Sequence, residues 1–131
     1  MEDKIGHCLC GAVTFKVRGK LGLVSYCHCS QCRRQTGLYY ATTDTTVAAV
    51  EITGGDRIGS YRASSDAERA FCRDCGSALY WKADGAERIS LMAGLFPNPT
   101  GLEGGYHIFC ADKGDFYEIN DGLPQYPGNN D

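Results

Sequence analysis

Seven of the eight cysteines in this chain fall into clusters, and the tightest one constrains everything around it: Cys27-His28-Cys29-Ser30-Gln31-Cys32. Cys27 and Cys29 stand two apart, so on an extended backbone both side chains project to one face. Cys32 follows three residues later, where a turn can fold it back to the same point. A disulfide between Cys27 and Cys29 would be strained, because positions on one strand face lie too far apart for good S–S geometry. Three convergent thiolates read as a metal claw. Zinc prefers four ligands, and a site with three protein ligands keeps its fourth place for water or substrate. Cys27, Cys29 and Cys32 are therefore the candidate catalytic zinc ligands. His28 lies between two of them and points to the other face, as a packed or hydrogen-bonded histidine outside the ligand set.

A second set is assembled from distant segments. Cys8-Leu9-Cys10-Gly11 repeats the two-residue spacing near the N-terminus, and Phe71-Cys72-Arg73-Asp74-Cys75-Gly76 has the form of a zinc-knuckle turn. Backbone N–H groups in such a turn can hydrogen-bond to the thiolates. Together Cys8, Cys10, Cys72 and Cys75 make a four-thiolate site with no open position, hence a structural zinc. The expectation is two zinc ions, one structural and one catalytic. Cys110 is left over, and among aromatic neighbours on a strand it reads as a small buried hydrophobe.

The whole chain sets the remaining bounds. Its 131 residues suit one domain over 1–131 with a modest core. A formal net charge of −3 gives no broad attraction to nucleic acid or anionic membrane, and ionised thiolates push the balance further the same way. No apolar run approaches the length of a membrane span. The first seven residues, Met1 to His7, show no basic or apolar leader, so a reducing cytoplasmic setting is expected, where clustered cysteines serve as ligands.

Between the cysteine clusters the pattern is extended. Val13, Phe15 and Val17 alternate on one face of a strand, and Gly22 to Tyr26 reads as a strand that delivers Cys27. Ser30 to Gln35 suggests one short helical turn closed by Gly37. Strands are expected over 38–40, 47–52 and 57–62, with the polar run Thr42 to Thr46 as a connection and 63–66 as an exposed loop. Asp84-Gly85 marks a hairpin between 79–82 and 88–93. Tyr106 to Cys110 is a last strand, Phe116 to Ile119 a weaker extended segment, and 124–131 a tail frayed or laid over the surface. The fold class is mainly β, stapled by zinc.

Taken in order, C-x-C-G at Cys8, C-H-C-x-x-C-R-x-x-T-G at Cys27, F-C-x-x-C-G at Phe71 and H-I-F-x-x-x-K at His107 resemble the glutathione-dependent formaldehyde-activating enzyme (CENP-V/GFA) family, from Cys8 to about Gly122. The resemblance implies an Mss4-like fold of two antiparallel sheet layers with zinc at the edge. It implies structural ligands at Cys8, Cys10, Cys72 and Cys75, and catalytic ligands at Cys27, Cys29 and Cys32. It also implies a carbon–sulfur lyase, S-(hydroxymethyl)glutathione synthase-like, acting on a thiol adduct of formaldehyde or a related small carbonyl. The partners are then a small-molecule thiol such as glutathione and a small carbonyl; a homo-oligomer is compatible with it. Two departures bear on the thiol: Cys110 where an aliphatic residue is common, and Phe116-Tyr117 where many members carry tryptophan.

The residues support that chemistry independently. A zinc held by three thiolates can bind an external thiolate and lower its pKa. Its heavy negative charge favours exchanging sulfur over activating water. Arg33 and Arg34 stand beside the claw as candidate partners for a substrate carboxylate. His107 could hydrogen-bond nearby or serve as a satisfied core histidine. A non-enzymatic zinc-stapled binding module on the same fold is the alternative reading.

Overall fold

The structure, a computed structural model, describes residues 3–130; Met1, Glu2 and the terminal Asp131, parts of the leader and tail readings, lie outside the described residues. A three-stranded sheet faces a seven-stranded one. The small sheet joins β1 (Lys4–His7), β2 (Thr14–Val17) and β5 (Val50–Thr53) in the order β1-β2-β5. The large sheet uses β3 (Val24–Cys27), β4 (Tyr40–Thr46), β6 (Ile58–Tyr61), β7 (Ala67–Cys72), β8 (Ala78–Ala83), β9 (Arg88–Met92) and β10 (Gly104–Ile108), ordered β10-β3-β4-β9-β8-β7-β6. The pairs are antiparallel, as expected, except β10 with β3, which is parallel and makes the large sheet mixed. One α-helix, α1 (Ser30–Thr36), follows β3.

Between the sheets lies the core. The alternation of β2 buries Phe15 and Val17 completely, against Ala70, Leu79, Ile89 and Leu91 of the large sheet. Phe15 meets Tyr80 edge-on at 6.4 Å. Each large apolar side chain buried this way contributes on the order of 1.5–3 kcal/mol.

Several sequence expectations change at strand β4. The run Thr42 to Thr46 is not a connection but the interior of a central strand. Threonine is β-branched and suits a pleated surface. Thr43 and Thr45 are buried, and the Thr43 hydroxyl donates to the Gly22 carbonyl at 2.8 Å, which removes the cost of burying it. The 47–52 segment divides into a 3₁₀ turn (Val47–Ala49) and β5, which crosses to the other sheet. Strands β1 and β7 carry too little alternation to be read from sequence alone.

The last third is corrected too. Strand β10 ends at Ile108; Phe109 takes a left-handed φ of 54°, and Cys110 opens a 3₁₀ turn (Cys110–Asp112). Cys110 is thus half-buried on a turn rather than buried on a strand. No strand forms over 116–119, and Phe116 is 61% exposed. The tail is laid down rather than frayed. His107 N–H donates to the Pro124 carbonyl, Tyr126 N–H to His107, and Cys110 N–H to Tyr126, at 2.9, 2.9 and 3.0 Å. These bonds cover the open edge of β10, which would otherwise present unpaired groups. No helix among the described residues is long and apolar enough to cross a membrane.

Candidate metal centres

Strand β3 carries Cys27 to the edge of α1, and the next residues wrap it around one point. Cys29 is the N-cap of α1, with extended backbone angles (φ −64°, ψ 161°). Its sulfur accepts from the Cys32 N–H at 3.3 Å, a role an oxygen side chain ordinarily plays. The helix brings Cys32 back over Cys29, with the two Sγ atoms 3.2 Å apart. Gly37 closes α1 with φ 87°, and its N–H bonds to the Arg33 carbonyl, as the sequence suggested. The sulfurs of Cys27, Cys29 and Cys32 all lie within 4.8 Å of one another.

The second set comes together across the fold. Cys8 and Cys10 precede β2, while Cys72 ends β7 and Cys75 lies in the turn that follows. Their four sulfurs also lie within 4.8 Å of one another. The Cys8–Cys10 and Cys10–Cys72 separations are 3.7 and 3.8 Å. Four sulfurs around a zinc ion at about 2.3 Å form a tetrahedron with edges of about 3.8 Å. The donor set therefore fits zinc, and the distances exclude disulfides. The Ser77 hydroxyl and N–H, with the Cys10 N–H, hold Cys75 down at about 5, in the thiolate form a cation needs.

The claw also fits a cation. Hydrogen bonds from Cys27 and then Cys32, joined by the Cys32 and Gln31 N–H groups, lower Cys29 to about 2. Cys27 moves the other way, pushed up by Cys29, Cys32 and burial. Three thiols crowded at one point cannot all ionise without a compensating positive charge, which a divalent ion supplies.

A cavity of about 630 Å³ opens against the claw, and strand register explains its wall. On one face of the large sheet Cys27 pairs with Tyr40 and Ser25 with Thr42. Further along that face a row runs Asp44, Ser90, Trp81, Arg69 across β4, β9, β8 and β7. All eight residues line the cavity. The Ser90 hydroxyl donates to Asp44 Oδ1 at 2.7 Å.

Arg69 is the residue that sequence reasoning missed. It is 7% exposed, with its Cζ 5.0 Å above the ring of Tyr40. Its guanidinium donates to Gln35 Oε1 at 3.0 Å, Gln31 Oε1 at 3.1 Å and Cys32 Sγ at 3.5 Å. The one available signal was an arginine three residues before Cys72, whose direction only the strand pairing reveals. Arg33 and Arg34, singled out from sequence, do not line the cavity.

Behind the claw, His28 faces away from the sulfurs and is fully buried. Burial, then the neighbouring His107 and Lys113, press its pKa down to about 4. With His28 neutral, the Tyr117 hydroxyl donates to its Nδ1 at 2.5 Å and its Nε2–H donates to His107 Nδ1 at 2.8 Å. His107 Nε2–H then donates to Asp121 at 2.8 Å, completing a chain in which every ring nitrogen has a partner. The Leu123 N–H, together with His107, keeps the Asp121 carboxyl below its usual range. His107 is thus a satisfied core histidine, stacked on Tyr26 at 4.8 Å.

The family model described as "Glutathione-dependent formaldehyde-activating enzyme" matches residues 3–112, a span that holds both cysteine sets. The chain belongs to this family. It is 29% identical over 120 residues to a Schizosaccharomyces pombe protein named as an uncharacterized lyase, covering 91% of this chain and 87% of the relative. The crystal structure of a Rhodobacter sphaeroides protein shares the fold, with a TM-score of 0.61 at 20% identity, over 93% of this chain and 98% of that one. A lyase-like function and cysteine sets able to bind zinc follow from membership and geometry together.

Proposed function

We propose that the chain is a zinc-dependent carbon–sulfur lyase or synthase acting on the adduct of a small thiol, glutathione-like, with formaldehyde or a related small carbonyl. Cys27, Cys29 and Cys32 would hold the catalytic ion, and Cys8, Cys10, Cys72 and Cys75 a structural one. The observation that carries the reading is the difference between the two sets. Four cysteines close one, whereas three line a cavity at the other, and among the described residues no fourth cysteine, histidine or carboxylate joins them. The family assignment and the name of the yeast relative support the reaction class.

The reaction is addition of sulfur to a carbonyl carbon, or its reverse. In synthesis a C–S bond forms, the C=O π bond breaks, and the proton lost by the thiol ends on the new hydroxyl. A cation at the claw would supply thiol ionisation near neutral pH. The chain's own groups do the rest. The row of Ser25, Thr42 and Ser90 offers hydroxyls to the polar part of the substrate. Trp81 lends the cavity an apolar flank. The His28–His107–Asp121 chain fixes the short backbone bridge between Cys27 and Cys29, so the claw does not need to be organised by its ligand.

Cobalt loading tests this. Glutathione should shift the sulfur charge-transfer bands, Cys29→Ser should abolish the shift, and formaldehyde should change the spectrum again. Bands unmoved by glutathione and other small thiols would refute the reading and favour a non-enzymatic binding module.

A further inference from the structure

Among the described residues, the cavity beside the claw is lined by two carboxylates, Asp44 and Asp112, and by one cationic side chain, Arg69. That cation does not project into solvent to meet a substrate. It is buried, reaches under the helix, and donates to the sulfur of Cys32, itself 2% exposed. Gln31 and Gln35, four apart on α1 and hence on one face, present their amide oxygens to the two ends of the fork. The Arg69 Nε–H is buried without a protein partner, and Cys32 Sγ is the one atom of the cysteine claw that the fork reaches. Its placement is explained by what it touches.

The charge count gives that contact a consequence. Three thiolates with a divalent cation carry one net negative charge, and the guanidinium, buried against Cys32, brings the sum to neutrality. A fourth ligand that is anionic then leaves one net negative charge at the cavity wall; without Arg69 it would leave two. A neutral ligand changes nothing in either case. Two charges that close, away from bulk water, interact strongly, and lining carboxylates add to the repulsion an anion meets.

We propose that Arg69 is the specificity-determining residue of the claw: through its contact with Cys32 it makes an anionic sulfur, rather than a neutral nitrogen or water, the favoured fourth ligand. This rests on the reading of the claw as an open metal site. It makes Arg69 a residue that acts on the substrate through a ligand, without touching the reacting carbon.

The test uses the cobalt-loaded full chain, with 2-mercaptoethanol as a ligand charged only at sulfur and imidazole as a neutral one, each titrated by the visible bands. Arg69→Met, which keeps an unbranched stem without the charge, should lower 2-mercaptoethanol affinity about tenfold and leave imidazole affinity within about twofold, the low end of the effect of partners that bond to metal ligands. Its charge-transfer bands should also move, since Cys32 loses its donor. Arg69→Lys keeps the charge and should retain most of the preference, and this variant carries the test if Arg69→Met does not fold. Equal weakening of both ligands in Arg69→Met, or loss of the thiol preference in Arg69→Lys, would overturn the proposal, as would unchanged affinities. If thiols bind wild type and Arg69→Met alike, only the role of Arg69 falls. If no thiol moves the wild-type bands, the open-site reading falls and this proposal with it.

Discussion

Replacing His107 with alanine should cost the protein far more than its position on a peripheral strand suggests. The residue is 4% exposed and sits in the middle of the chain from Tyr117 through His28 to Asp121. Its removal leaves His28 Nε2–H, on a fully buried ring, with no acceptor, at about 1–3 kcal/mol. The stacked contact with Tyr26 is worth about 0.5–1.5 kcal/mol more. The Asp121 carboxylate is 44% exposed and turns to water at little cost. The total is about 1.5–4.5 kcal/mol, a large share of the roughly 5–15 kcal/mol typical of a folded domain. Urea unfolding at pH 7 should show the midpoint falling with the slope unchanged. Asp121→Asn, whose one oxygen keeps an acceptor for His107 while the exposed Leu123 N–H turns to water, should cost under about 1 kcal/mol. The backbone bonds between residue 107 and the tail survive the substitution, so the loss belongs to the side chains alone. A His107→Ala variant no less stable than Asp121→Asn would show that the histidine chain adds nothing to the fold.

Other consequences separate the two cysteine sets. Cys72→Ser removes a fully buried thiol of the four-cysteine set, next to Cys10 at the end of β7. It should unfold or precipitate the protein, since a structural zinc contributes on the order of 10 kcal/mol in small metal-folded domains. Cys29→Ser should lower the melting temperature much less, because its set spans six residues of one segment; equal falls would refute the division. Elemental analysis of reduced protein should find close to two zinc ions per chain. Limited chelation should strip one first, and a single tight metal would sink the two-site reading. Gly54→Ala should abolish soluble expression or cost more than about 2 kcal/mol: the position has φ 82°, and a Cβ there would lie 1.9 Å from the Ala12 carbonyl oxygen. A near-native melting curve for that variant would contradict the packing of this turn against the Cys10–Val13 segment.

The two groups of converging cysteines were legible because thiol spacing within each segment is local and chemically narrow. Two thiols at i and i+2, followed by a third at i+5, have few stable uses in a chain without disulfides, and the C-x-x-C-G turn is as restrictive. The short helical turn after Cys29 and its closure at Gly37 were equally local, whereas the N-cap role of Cys29 was not read in advance. The Asp84-Gly85 hairpin, which joins β8 to β9 as expected, was local too. Alternation in 13–17 announced the buried face of β2. Strand β4 misled because its polar side chains are satisfied by partners far away in the chain. Thr43 finds the Gly22 carbonyl and Asp44 finds Ser90, and neither acceptance nor donation can be seen from a polar run.

What the sequence determined by itself is therefore a set of local spacings, C-x-C, C-x-C-x-x-C and C-x-x-C, and a mainly β chain to carry them. Tertiary structure decided the surroundings of those cysteines. Arg69 is 37 residues from Cys32, and only the register of four strands aims it beneath the claw. His28 meets His107 across 79 residues, through the parallel pairing of β10 with β3. The physical reason is one of range. The spacing inside Cys27–Cys32 is fixed by the reach of neighbouring side chains, whereas Cys8 and Cys10 meet Cys72 and Cys75 only through the fold. The charges and hydrogen bonds that tune these thiols come from whichever strands the buried core brings alongside.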